Sequence, residues 1–241
     1  MKSFQKNENW KTLKGKAKIQ YIWDYYKFPL VILVILLYIL VYALQNHLSY
    51  KETVLYTALV NVNASENLTE RLSDDFLEYL NINLSRNKME LYTGLYLTED
   101  EQNAYHEYTY ASRIKILAVI DGKLLDVVLM NQEAFDAFSQ NGYLCALEDL
   151  IPQTDAALYH TVEANCVTNI TIIEDNAIER QFDSAIPYHA ITEEHFYGIN
   201  LSSTKLIRNA GFGEPVYLGI LANSPRKDNA VAYLRYLFSQ M

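Results

Sequence analysis

Residues 28–44, FPLVILVILLYILVYAL, form seventeen consecutive positions without a charge, and they constrain this chain more than any other feature. As a helix the run rises roughly 25 Å at 1.5 Å per residue. Tyr25, Tyr26 and Gln45 at its ends extend it toward the ~30 Å hydrocarbon thickness of a bilayer. A helix satisfies its own backbone hydrogen bonds, as lipid demands. A core helix of a soluble protein normally carries a polar stripe, and this run has none. The sequence therefore predicts a transmembrane helix over 28–45. A cleaved signal peptide is the rival, with Val41-Tyr42-Ala43 as a weak processing site. The length of the apolar run, and of the basic region before it, favours a retained anchor. No Cys follows it in a lipobox pattern.

Charge sets the expected orientation. Residues 1–27 hold seven Lys against Glu8 and Asp24, while the remainder holds 13 basic and 27 acidic residues. Lys beside a span is retained on the cytoplasmic side, so the basic segment 1–27 is expected inside the cell and the acidic part outside it. Tyr21, Trp23, Tyr25 and Tyr26 stand where an interfacial aromatic belt belongs. A basic segment also suits nucleic acid. Beside a span, contact with the lipid bilayer is the more economical account, and no nucleic-acid partner is expected.

Beyond a polar spacer at 46–52, strands and helices alternate. TVLYTALVNV reads as a strand, SENLTERLSDDFLEYL as a helix with Leu68, Leu72, Phe76, Leu77 and Leu80 on one face, and MELYTGLYL as a second strand. Thr98 to Glu101 form a capping-box pattern that opens a helix near 99–117. Asp121-Gly122 suits either a hairpin turn or a helix that ends at Gly122 in a left-handed cap. The preceding β, α, β alternation favours the helix, because parallel strands need crossovers.

Residues 124–130 then read as a strand buried on both faces. Asn131 is an N-cap, with Glu133 in the favourable first turn, and Asn141-Gly142 ends the helix. VTNITIIED and QFDSAIPYHAI read as short strands. VYLGILAN is a last strand, with Ser224 as N-cap and Pro225 at the first position of a closing helix whose face is Ala230, Tyr233, Leu234 and Leu237. Cys145 and Cys166 form either one disulfide or two buried free thiols.

The unit GKLLDVVLMNQEAFDAFSQNGYLCALEDLI, following β, α, β, α, resembles the first lobe of extracellular solute-binding proteins of transporters. Asp126, Phe135, Gly142, Leu144, Leu147, Glu148 and Asp149 carry the likeness, with the ending YLGILANSPRKDNAVAYLRYLF. It covers about half the chain, over 53–151 and 215–238. The chain departs from that family at Leu125, where a Pro often stands, in its span instead of a lipid-bearing Cys, and in its short length.

The resemblance implies an α/β, periplasmic-binding-protein-like domain over 53–241. Its first lobe is expected mainly at 53–151 and 215–241, and an abbreviated second lobe at 152–214. It further implies capture of a small solute for an ABC-type permease or another membrane protein. In open α/β sheets ligands bind beyond the carboxyl ends of the strands. That rule selects Asn61, Asn63, Tyr96, Asn131 and Gln132 as candidate ligand-binding residues, though Asn63 and Asn131 read first as helix N-caps and Tyr96 as ordinary packing.

No nucleophile elbow, H-E-x-x-H or phosphate loop occurs, so neither an enzyme nor a cofactor is expected. HAITEEH, residues 189–195, reads as a solvated acidic loop, not a metal site. Two functions are carried forward. One is a membrane-anchored extracytoplasmic protein that presents or senses a solute. The other is a tethered interaction module that keeps the fold without a solute site.

Overall fold

The computed structural model describes residues 15–49, 51–98, 100, 106–183 and 185–239. The chain divides into two units, Met1–Tyr50 and Lys51–Met241. In the first, helix α1 spans Lys16–Ser49. Its segment Lys27–Gln45 is long and apolar enough to cross a membrane, and none of it is buried in protein. Helix α1 runs through residues 46–49, expected as spacer, and strand β1 begins at Glu52. Most of the basic segment lies outside the described residues.

The second unit is built on one six-stranded sheet of order β2-β1-β3-β6-β5-β4. Strands β1 (Glu52–Val60), β2 (Asn87–Leu95) and β3 (Val127–Met130) are mutually parallel around β1. Strand β6 (Tyr217–Ile220) runs antiparallel to β3 and to β5 (Ala190–Asn200), which pairs antiparallel with β4 (Cys166–Asp175). The fold is α/β, as expected. Residues 152–214, expected as an abbreviated second lobe, supply β4 and β5 to the same sheet, where Ile199 and Asn200 pair directly with β6.

Successive strand side chains face opposite sides, so a run such as VVLM serves two cores. Val127 and Leu129 join Leu55, Leu59, Leu218 and Ile220 on one face. Helix α2 (Glu66–Tyr79) covers that face with Leu68, Leu72, Phe76 and Leu77, and helix α9 (Lys227–Ser239) with Ala230, Tyr233, Leu234 and Leu237. Phe76 meets Tyr233 edge-on, with ring centroids 4.9 Å apart. On the other face Ala58, Val60, Val128 and Met130 pack with Ile116, Val119 and Ile120 of α3 (His106–Asp121) and with Phe135 and Phe138 of α4 (Gln132–Gln140). Helices α5 (Leu147–Thr154), α6 (Ala156–Val162) and α8 (Lys205–Ala210) add Leu147, Ile151, Leu158, Leu206 and Ile207 to the first core. Helix α7 (Ala177–Phe182), between β4 and β5, buries nothing.

Helix ends follow local chemistry. The Asn131 side chain accepts from the Ala134 N–H and starts α4, and Gly142, at φ 70°, follows its end. Helix α2 is capped by Ser65, not Asn63: the Ser65 hydroxyl accepts from the Leu68 N–H, since it sits one residue before the first turn. Helix α3 precedes β3, as the alternation favoured, but the left-handed residue is Lys123 (φ 55°), one place beyond Gly122. The Leu124 N–H then reaches back to the Val119 carbonyl. The last helix, α9, opens at Lys227, two places later than a Ser224 cap implies; the Ser224 hydroxyl donates to Asp126 and accepts from the Arg226 N–H. The capping-box pattern at Thr98 falls largely outside the described residues.

Two further expectations change. QFDSAIPYHAI is α7's last turn and a loop, with only its final two residues in β5. HAITEEH is mostly strand β5, paired along β4, because a two-stranded ribbon satisfies its backbone while leaving its carboxylates in solvent.

Candidate functional site

The carboxyl ends of the three parallel strands come together at Asn61, Tyr96 and Asn131. Asn61 adopts the left-handed conformation (φ 58°) that Asn tolerates better than most residues. This turn keeps its N–H on the Leu95 carbonyl at 2.9 Å. Its side-chain oxygen accepts from the Leu97 N–H at 2.8 Å, and its amide nitrogen donates to the Leu97 carbonyl at 2.6 Å. One side chain therefore extends the β1–β2 pairing past the end of the strands.

The same amide nitrogen donates to Asn131 Oδ1 at 3.1 Å, and that oxygen also receives the Ala134 N–H. Next to this latch, the Tyr96 N–H donates to Ser112 Oγ at 3.1 Å. The Thr98 hydroxyl donates to Glu133 Oε1 at 2.6 Å and accepts from the Asp100 N–H. Buried polar groups need partners, and here they find them within the chain.

Of the five residues selected from sequence, the structure joins Asn61 to Asn131 and sets Tyr96 directly after the latched strand. Gln132 turns along its own helix and donates to Asp136 Oδ1 at 2.8 Å. Asn63 is exposed, two residues beyond the latch. The arrangement ties strand ends together through both ends of the Asn61 amide and the side-chain oxygen of Asn131.

Two clusters escaped the sequence. At the amino end of β3, the wholly buried Asp126 accepts from the Tyr56 N–H (2.8 Å), Ser224 Oγ (2.6 Å) and Arg226 Nε (2.8 Å). The Arg226 guanidinium also lies 4.6 Å over the Tyr56 ring. Asp126 belonged to the resemblance, but nothing local in the sequence pairs it with a residue 100 positions away.

The second is an arm. Strands β4 and β5 pair from Cys166↔Ile199 to Asp175↔Ala190, whereas β5 meets β6 only at Ile199 and Asn200. The outer part of the hairpin thus projects beyond the sheet. At its tip lies a concavity of ≈ 520 Å³ whose wall includes Glu174, Asp175, Glu179, Ile186, Pro187 and Ile191. The one legible signal was the apolar content of ITII and AIP amid acidic residues.

Cys145 and Cys166 are free thiols, and burial pushes each up to about 11. Among the described residues no group of three or more His, Cys, Asp or Glu side chains is placed to hold a metal ion. His195 Nδ1 sits 2.8 Å from Glu148 Oε1, and Glu148 also accepts from the Phe196 N–H. This pair fixes the base of the arm to α5. No family model matches the chain, and no curated protein matches it.

Proposed function

We propose that the chain is a membrane-tethered module whose extracytoplasmic α/β unit works by binding another protein. The observation that carries this reading is the latch at the carboxyl edge. The polar side chains best positioned to meet a solute, Asn61 and Asn131, bond to each other and to backbone. A solute that took the Asn61 amide or the Asn131 side-chain oxygen would compete with bonds that hold the strand ends. The span supports the tether, and the excess of Lys before it supports an N-terminus inside the cell.

The test is photo-crosslinking in intact membranes, with the crosslinking side chain placed at exposed positions of the Lys51–Met241 unit. The module reading expects a discrete crosslinked protein. It also expects no rise in melting temperature across sugars, amino acids, peptides and metal ions. A reproducible shift with one solute class and no crosslink would reverse the assignment.

Solute presentation to an ABC-type permease remains the second reading. What favours it is the crossover arrangement that brings Asn61, Tyr96 and Asn131 to one edge, together with the resemblance at Asp126, Phe135 and Gly142. A specific melting shift abolished by Asn61→Ala would support it. That substitution also removes the latch, so the shift must be measured against the variant's own baseline.

A further inference from the structure

We propose that the tip of the β4–β5 arm is the docking surface of this module, and that its occupant is a basic, apolar polypeptide segment. The proposal rests on the interaction-module reading and adds the surface and the chemistry of the partner.

The arm is a built feature. Beyond Thr171, as far as Asp175, it reaches about 13 Å at ~3.3 Å per residue. Its base is fixed by Thr171 Oγ1 donating to the Ser139 carbonyl (2.9 Å) and by Asn169 Nδ2 donating to Asp136 (2.8 Å). At the tip, Asn176 brackets the loop. Its N–H donates to the His189 carbonyl, its amide nitrogen to the Pro187 carbonyl, and its amide oxygen accepts from the His189 N–H. Arg180 donates to the Ile186 carbonyl at 3.1 Å and lies over the Tyr188 ring. These bonds hold the tip in shape without a core.

On that scaffold the chain leaves large apolar side chains in solvent. Phe182 is 88% exposed and Ile178 71%, with Ile173, Tyr188 and Ile191 also exposed. Single exposed apolar residues are ordinary, but five on one short, ordered projection mark a surface that meets a partner. Pre-ordered loops bind at a lower entropic cost than floppy ones.

Charge selects the occupant. Residues 168–195 hold six carboxylates, Glu174, Asp175, Glu179, Asp183, Glu193 and Glu194, against Arg180 as the one Lys or Arg. Arg180 is already engaged with Ile186 and Tyr188. A second copy of the arm would meet like charge with like, and an anionic lipid surface would repel it. A segment that pairs Lys or Arg with apolar side chains satisfies both the oily and the acidic groups.

The test uses the full chain in nanodiscs of neutral lipid and fluorescently labelled synthetic peptides. One peptide carries Lys and Leu at helical spacing, a second Glu and Leu, a third Lys and Ser. Anisotropy should show saturable binding of the Lys/Leu peptide alone, weakening as salt is raised. Phe182→Ser with Ile178→Ser should lower its affinity at least tenfold. Glu174→Gln with Glu179→Gln should lower it severalfold and flatten the salt dependence. Neither pair should change the melting temperature, because these side chains are exposed.

Equal binding of the Glu/Leu peptide would overturn the proposal, as would indifference to the tip variants. So would binding to phosphatidylserine vesicles, or self-association in sedimentation, where Phe182→Ser with Ile178→Ser abolishes either. If crosslinking captures a discrete protein elsewhere on the domain while the peptides ignore the arm, the surface assignment fails and the module reading stands.

Discussion

The buried carboxylate of Asp126 and the guanidinium of Arg226, 2.8 Å apart, join the amino end of β3 to the segment that leads into α9. Asp126 has no exposed surface, and Arg226 keeps about a quarter of its own in solvent. Ser224 and the backbone of Tyr56 complete the carboxylate's shell, so three separate chain segments meet on one side chain.

Asp126→Asn should therefore destabilise the α/β unit by about 3 kcal/mol, the low end for a broken buried pair, since Arg226 is partly solvated. Urea unfolding of the detergent-solubilised protein checks this. A change within about 0.5 kcal/mol would mean the pair contributes little.

Tyr233 presents the opposite case. It is fully buried, meets Phe76 edge-on, and its hydroxyl has no hydrogen-bond partner among the described residues. The Thr57 hydroxyl is in the same position. Tyr233→Phe and Thr57→Val should leave stability unchanged or raise it by about 1 kcal/mol, because an unsatisfied polar group is removed with little change of shape. Thermal unfolding reports the sign. A clear loss would reveal a partner for these hydroxyls.

Strand β5 packs against α4 with no room to spare. A Cβ on Gly198 would stand 2.7 Å from the Phe135 ring, whereas a Cβ on Gly213 would meet nothing within 4 Å. Gly198→Ala should cost about 1–3 kcal/mol by overpacking, and Gly213→Ala should cost far less. Equal effects in denaturant melts would place β5 differently against α4.

The thiols give a pH prediction. Burial raises both Cys145 and Cys166 from 9.0 to about 11, so the folded protein holds these protons after the unfolded chain has released them. Their contribution to stability is whole below pH 9 and lost as pH rises through 11. Alkylation of the native protein should accelerate toward pH 11 instead of near 9, and the denatured, unreduced protein should titrate two thiols. A disulfide would abolish both results.

Much of the sheet was legible because its periodicities are strong. VVLM stands between turn signals with Asn131 after it, and local chemistry alone starts and ends α4. The helix faces of α2 and α9 read correctly for the same reason. Strand β5 did not. Its outer half lies on a ribbon in solvent, so AITEEH shows no buried face, and that half pairs with β4 alone. The candidate residues at the strand ends were found by a topological rule. Their engagement depends on contacts such as Asn61 to Leu97, 36 residues apart, that no local pattern encodes.

We propose that the span sets the Lys51–Met241 unit, with its arm, outside the cell. Introduced cysteines test it most directly, because the native thiols are half-buried and slow to react. With a membrane-impermeant maleimide on intact cells, Phe182→Cys should label fully, and Ser3→Cys only after permeabilisation. Labelling of Ser3→Cys on intact cells, with Phe182→Cys protected until the membrane is opened, would contradict the account.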